Sequence, residues 1–135
     1  MTQHQVTTDL VGNRRRIVIV DDDELQLRAA WRAARRDPEL DLVVASNAID
    51  GLLCVGTMRP DVVVFDVYMP GIDGIEACRR IKNNNQTRDV QVVLASATVD
   101  DDLLAAAYAA GAVRVIEKPV DLGEVLAIIE PPSAS

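Results

Sequence analysis

Four short β-branched runs of this sequence each lead into residues that can do chemistry. "RIVIV" leads into Asp21, Asp22 and Asp23, "VVVF" into Asp66, "VVLA" into Ser96, and "VRVIE" into Lys118 and Pro119. In the stretch "RPDVVVFDVYMPGIDG" a buried strand has no need of the carboxylate at its end, so Asp66 and the Pro/Gly loop behind it ask for a functional explanation. Carboxylates brought within about 4 Å repel by roughly 4 kcal/mol per pair at an effective dielectric near 20, so something cationic must hold them. Lys118 alone is too little. All-oxygen ligands with open positions suit Mg²⁺ awaiting a phosphate oxygen better than a closed Ca²⁺ cage, and the adjacent acids "DDD" lack the spacing of an EF-hand loop. Lys118 by charge and Ser96 by hydrogen bond would take the remaining oxygens of a phosphoryl group. That leaves a carboxylate free to act as nucleophile.

These groups share a rim only if the elements carrying them are parallel strands. The β-branched runs at 16 to 20, 42 to 45, 62 to 65, 92 to 95 and 113 to 117 alternate with helical patterns over Glu24 to Arg36, Ala48 to Met58, Gly74 to Asn83, Asp101 to Ala110 and Asp121 to Ile129. Leu27, Ala30, Trp31 and Ala34 fall at i, i+3, i+4, i+7, which predicts one apolar helix face. Gly111 stands where a terminating glycine would end the fourth helix, and Asp121 where an N-cap would start the fifth. Strands without polar alternation belong to a parallel sheet covered on both faces. The prediction is one doubly wound α/β domain, a (βα)5 open sheet, since a (β/α)₈ barrel needs about 250 residues. In such sheets ligands bind beyond the carboxyl ends of the strands, where the strand order reverses.

The chain's 135 residues, 49% of them hydrophobic, suit one soluble domain. A formal net charge of −7 speaks against nucleic acid or an anionic membrane as direct partner and for a cation or a basic protein patch. Cys54 and Cys78 lie in separate helical segments, too far apart for a Cys-x-x-Cys pair, so core packing in a reducing cytoplasm is expected. No segment reads as a membrane span, and "MTQHQVTTDLVGN" has no apolar signal-peptide core. His4 in that tail is read as solvated. Residues 1–14 are expected to be a flexible tail, 15–130 the domain, and 131–135, "PPSAS", a frayed end or the start of a linker.

The motifs "IVIVDDDE", "VVVFDVYMPGIDG", "VVLASA" and "GAVRVIEKP" resemble, in order and spacing, the response-regulator receiver domain of two-component signalling. The resemblance covers roughly residues 15 to 130 and implies the flavodoxin-like strand order 2-1-3-4-5. It implies Asp66 as phosphoacceptor, Asp21 and Asp22 as the acidic pair that holds Mg²⁺ together with Asp66 and the backbone carbonyl of Tyr68, Ser96 as switch hydroxyl and Lys118 as countercharge. A cis Lys118–Pro119 bond is implied as well. The implied partners are a histidine kinase or histidine phosphotransfer protein on the input side, and a downstream protein or covalently linked output domain on the other. The implied role is a cytoplasmic switch that catalyses only its own phosphorylation and slow dephosphorylation, and that signals through the surface from strand 4 to helix 5. The alternative is a receiver-like protein-binding module that works without phosphate.

Some positions depart from the family pattern. Val115 stands where an inward-rotating aromatic is usual, so a smaller packing change is expected to carry the signal. Tyr108 is not promoted to that role. Tyr68 and Thr98, each two residues past a site residue, flank the pocket, and a bulky Tyr68 is expected to hinder the water that hydrolyses an aspartyl phosphate. Asp23 and Glu24 read as helix-start residues. Arg28, Arg32, Arg35 and Arg36 read as a basic stripe opposite the Trp31 face, either simply solvated or docking an acidic patch on the phosphodonor. Arg14 to Arg16 are expected to keep the edge before strand 1 soluble. An aspartate-dependent phosphohydrolase would want a second Asp where Tyr68 stands, and an FMN binder a hydroxyl-rich loop where the acids follow strand 1.

Overall fold

The computed structural model describes residues 15–129. Five strands alternate with five helices: β1 (Arg15–Val20), α1 (Glu24–Ala34), β2 (Leu40–Ala45), α2 (Ala48–Met58), β3 (Val62–Asp66), α3 (Gly74–Lys82), β4 (Gln91–Ser96), α4 (Asp101–Ala110), β5 (Arg114–Glu117) and α5 (Leu122–Ile129). All strand pairs are parallel and the order is β2-β1-β3-β4-β5. The two tails, His4 and Arg14 lie outside the described residues.

The unbroken apolar strands are explained by two cores, one on each face. Val18, Val20, Val63, Phe65, Val92 and Leu94 point to the face covered by α2, α3 and α4. Their neighbours Ile17, Ile19, Val62, Val64, Val93 and Ala95 point to the face covered by α1 and α5. Alternation is present in direction but not in polarity, because neither face meets water. Fully burying each Val, Leu or Phe contributes roughly 1.5–3 kcal/mol, so the central strands are the most stabilised part of the chain. Cys78 joins the first core and the half-buried Cys54 packs against it, both as free thiols.

Short polar residues set the helix starts. Asp23, Asn47, Asp73 and Asp100 cap α1, α2, α3 and α4, each side chain accepting from a backbone N–H of the first turn. Asp121 opens α5 by accepting from the Gly123 N–H at 2.9 Å. Gly111 ends α4 at φ 108°, a left-handed conformation that favours glycine. Among the described residues no helix is long and apolar enough to cross a membrane.

Three expectations are corrected. Helix α1 stops at Ala34 rather than Arg36, because the Arg36 and Asp37 N–H groups turn back to the carbonyls of Ala33 and Ala34. Trp31 is not a core residue: Leu27 and Ala34 are buried, while Trp31 is 49% exposed. One residue advances a helix by about 100°, so a face centred on Leu27, Ala30 and Ala34 carries Trp31 to its flank. The basic stripe therefore flanks Trp31 instead of opposing it, and the Arg35 guanidinium stands 5.0 Å over the indole. Finally, Arg15 and Arg16 do not guard an edge, because β1 lies inside the sheet. They tie its start to the neighbouring segments, Arg15 through Asp37 at 2.8 Å and Arg16 through Asp41 at 3.4 Å.

Candidate functional site

The strand order reverses between β1 and β3, and the carboxyl ends of these two central strands form the crevice. The ladder pairs Ile19 with Val64 and Val20 with Phe65, so the next residues, Asp21 and Asp66, emerge side by side. Both are buried, at 4% and 5% exposure, while Asp22 is exposed. The Asp21 carboxylate accepts from the Asp23 N–H at 2.9 Å, which fixes its orientation at the start of α1.

Lys118 arrives from the end of β5, which the Lys118 N–H extends by donating to the Ser96 carbonyl at 2.8 Å. Its ammonium lies 2.9 Å from Asp21 Oδ2 and 3.0 Å from Asp66 Oδ2. The Lys118–Pro119 bond is cis, as the resemblance implied. Oxygens from Asp21, Asp22 and Asp66 lie within 4.8 Å of one another. Three carboxylates answered by one ammonium leave two negative charges uncompensated. That all-oxygen set fits a hard divalent cation such as Mg²⁺.

The electrostatics follow from this imbalance. Burial raises the Asp66 carboxyl above the ordinary 3.8, the hydrogen bond from Lys118 pulls against it, and the charge of Asp21 adds to the rise. For Lys118, burial by itself would lower the ammonium, but the hydrogen bonds and charges of both aspartates outweigh it and hold the group above 10.5. One cation serving two anions is strongly held, while each anion receives only a share of it.

The loop after β3 folds back against Asp66. The Tyr68 N–H approaches Asp66 Oδ1 at 3.4 Å, and the Gly74 N–H donates to the Val67 carbonyl at 2.9 Å. A Cβ on Gly74 would stand 2.6 Å from the Asp66 carbonyl oxygen, so any side chain there would push the strand end out of place. Tyr68 itself projects into solvent at 69% exposure. Ser96 is fully buried at the end of β4, and its hydroxyl donates to the Thr98 carbonyl at 2.8 Å. Val115 pairs with Leu94 and packs partly buried against the α4 face, whereas Tyr108 is half exposed on α4.

Asp21, Asp22, Asp66 and Lys118 thus converge, with Ser96 on the neighbouring strand end. The site needs Asp23 in two parts, a backbone N–H for Asp21 and a side chain for the helix, and only the second was legible in its position. The i, i+3, i+4, i+7 spacing of Arg28, Trp31, Arg32 and Arg35 was a signal of a shared face that the apolar pattern obscured.

The profile of the response regulator receiver domain matches residues 17–130. The chain is 34% identical over 110 residues to the transcriptional regulatory protein AfsQ1 of Streptomyces coelicolor, a match covering 82% of this chain and 46% of that protein. It is 31% identical over 117 residues to the DNA-binding transcriptional regulator NtrC of Escherichia coli K12, covering 87% of this chain and 24% of the relative. The chain therefore spans half or less of these relatives. Among solved structures, the signal receiver domain of a DNA-binding response regulator from Colwellia psychrerythraea superposes with TM-score 0.74 at 28% identity, over 85% of this chain and 94% of that one. The receiver domain of the putative response regulator NarL from Mycobacterium tuberculosis shares the fold, with TM-score 0.77 at 24% identity over 87% and 94% of the two chains.

Proposed function

The chain belongs to the response regulator receiver domain family, a regulatory family of two-component systems, and from that premise we propose that it is a switch thrown by phosphorylation of Asp66. What supports this reading above all is the Lys118 ammonium shared between Asp21 at 2.9 Å and Asp66 at 3.0 Å, with an Asp22 oxygen close by. A carboxylate held in such a cluster is positioned and partly desolvated without being fully neutralised, which suits a nucleophile.

In the proposed transfer an oxygen of Asp66 attacks phosphorus. The new O–P bond forms as the bond from phosphorus to the donor, a histidine nitrogen or the acetate oxygen of acetyl phosphate, breaks. A histidine leaving group is neutralised by a proton from solvent. Asp66 loses its charge in the step, and the Lys118 ammonium moves to a phosphoryl oxygen. Asp21, Asp22 and Asp66, with the Tyr68 carbonyl, would hold Mg²⁺, which when bound neutralises charge on the phosphoryl oxygens. The Ser96 hydroxyl rotates away from the Thr98 carbonyl to donate to another of them. Tyr68, exposed beside the acceptor, slows the approach of hydrolytic water.

Movement of Ser96 draws on the end of β4 and so on β5, where Val115 yields by a small repacking. The surface of β4, α4, β5 and α5 passes this on to a downstream protein or a linked output domain. The donor is a histidine kinase or a histidine phosphotransfer protein, and the exchange takes place in the cytoplasm.

The test is intact mass after incubation with acetyl phosphate, with and without Mg²⁺, and with Asp66→Asn as control. The expected result is a metal-dependent gain of one phosphoryl group, absent in the variant. A folded chain that gains nothing in Mg²⁺ would move the reading to a phosphate-independent binding module.

A further inference from the structure

A second feature lies on the flank of the sheet farthest from β5. Arg28, Trp31, Arg32 and Arg35 of α1 line a groove whose floor is Leu27 and Val44, enclosing about 620 Å³. Among the described residues none of the three arginines forms an ion pair with a carboxylate, although the chain as a whole is acidic. Glu24, at the N-terminal end of α1, is the one acid in the lining. Three uncompensated guanidinium groups around a half-exposed indole are a local reversal of the overall charge, and they fit an acidic partner.

The groove borders an open sheet edge. Strand β2 is the last in the order, and among the described residues no strand pairs with its outer side. The N–H groups of Arg15 and Asp21 donate to the carbonyls of Glu39 and Ala45, which sets the phase of the β1–β2 ladder. In a parallel ladder alternate residues face the partner, so the backbone groups of Asp41 and Val43 face β1 while those of Leu42 and Val44 face outward. The edge carries one charged side chain, Asp41, and that is engaged by Arg16. Edge strands are ordinarily blunted by lysine, proline or a bulge, and β2 has none of these.

We propose that this edge and groove together bind an extended acidic segment of another protein, which adds as a strand beside β2 and sets its carboxylates against Arg28, Arg32 and Arg35. Backbone pairing at Leu42 and Val44 supplies register, and the arginines supply selection by charge. A second copy of this chain is disfavoured, because edge-to-edge pairing of β2 would bring two arginine stripes together. The surface is separate from the carboxylate cluster and does not depend on phosphorylation.

Trp31 is the chain's one tryptophan, so its fluorescence reports the groove directly. The probe is a blocked peptide of alternating glutamate and valine, about eight residues long, a usual strand length. We expect a saturable shift in Trp31 emission with this peptide and none with its lysine counterpart. N-methylation at alternate backbone positions should weaken binding roughly tenfold or more by removing edge hydrogen bonds. Raising the salt from about 0.01 M to about 1 M, which shortens the Debye length from roughly 30 Å to roughly 3 Å, should do the same on the unaltered chain. The double variant Arg28→Glu with Arg32→Glu alters exposed positions and should lose the shift. No saturable shift, equal response to the lysine or N-methylated peptide, salt-independent binding, or a shift with phosphatidylglycerol vesicles in place of the peptide would each overturn the assignment.

Discussion

The hydroxyl of Ser96 donates to the carbonyl oxygen of Thr98 at 2.8 Å, so the one proton this fully buried side chain can offer is committed to the backbone. Ser96→Ala would leave that carbonyl to find another donor and should destabilise the chain by about 1 kcal/mol. The same variant should still take phosphate at Asp66 but show a much smaller difference between its phosphorylated and unphosphorylated amide spectra in β4, α4 and β5. Full-sized spectral differences in the variant would remove Ser96 from the switch.

Asp66→Asn removes a carboxylate whose charged form is penalised by burial, and should stabilise the metal-free chain at neutral pH. Burial holds the Asp66 carboxyl above 3.8, so between 3.8 and its folded value the native state binds more protons than the unfolded one. Stability contributed by this group is therefore present at low pH and lost as pH rises through that window. Denaturant melts of the two proteins should differ at pH 7 and converge toward the acid side. A variant less stable than the parent at pH 7 would contradict the sign.

Mg²⁺ should raise the melting temperature through the acidic set of Asp21, Asp22 and Asp66. At a free concentration of about one hundred times the dissociation constant, the gain should be roughly 2.7 kcal/mol. Asp22 is exposed and takes no part in the Lys118 pair, so Asp22→Ala should fold normally and lose most of the magnesium response. An unchanged response would place the ion elsewhere.

The two thiols should separate by reactivity. Burial pushes Cys78 up to about 11, with Lys82 and Arg79 pulling weakly the other way. At pH 8 it is almost wholly thiol, and its stability contribution is lost only as pH climbs from about 9 toward 11. Iodoacetamide should label Cys54 first in the native protein and reach Cys78 only on unfolding. Equal native rates, read by peptide mass, would argue against the buried placement.

The fold was legible because burial on both faces removes polar residues from strands, so the residues that remained at the strand ends stood out. Asp21 and Asp66 could be found that way, since each follows its apolar run directly, whereas Lys118 follows the mixed run "VRVIE" and stood out through the proline behind it. Trp31 could not, because apolar spacing does not say where the buried arc of a helix ends, and one residue beyond Ala30 was enough to turn it outward. The implied order 2-1-3-4-5 already placed strand 1 inside the sheet, and what residue type did not show is that Arg15 and Arg16 pair with Asp37 and Asp41, residues more than twenty positions away. The direction of the Ser96 hydroxyl depends on the local path of residues 96 to 98, which residue type does not determine.

The one-to-one ladder from Ile17–Val62 to Val20–Phe65 ends on Asp21 and Asp66 as its next rung. The proposed acceptor and its acidic neighbour are brought together by backbone pairing between distant parts of the chain, and no local segment contains the arrangement. A slip of one residue would turn Asp66 to the opposite side of the pleat. Under the proposed function, competence to be phosphorylated is a certificate of folding: a nascent, nicked or misregistered molecule would present the same residues but no site, and would stay silent.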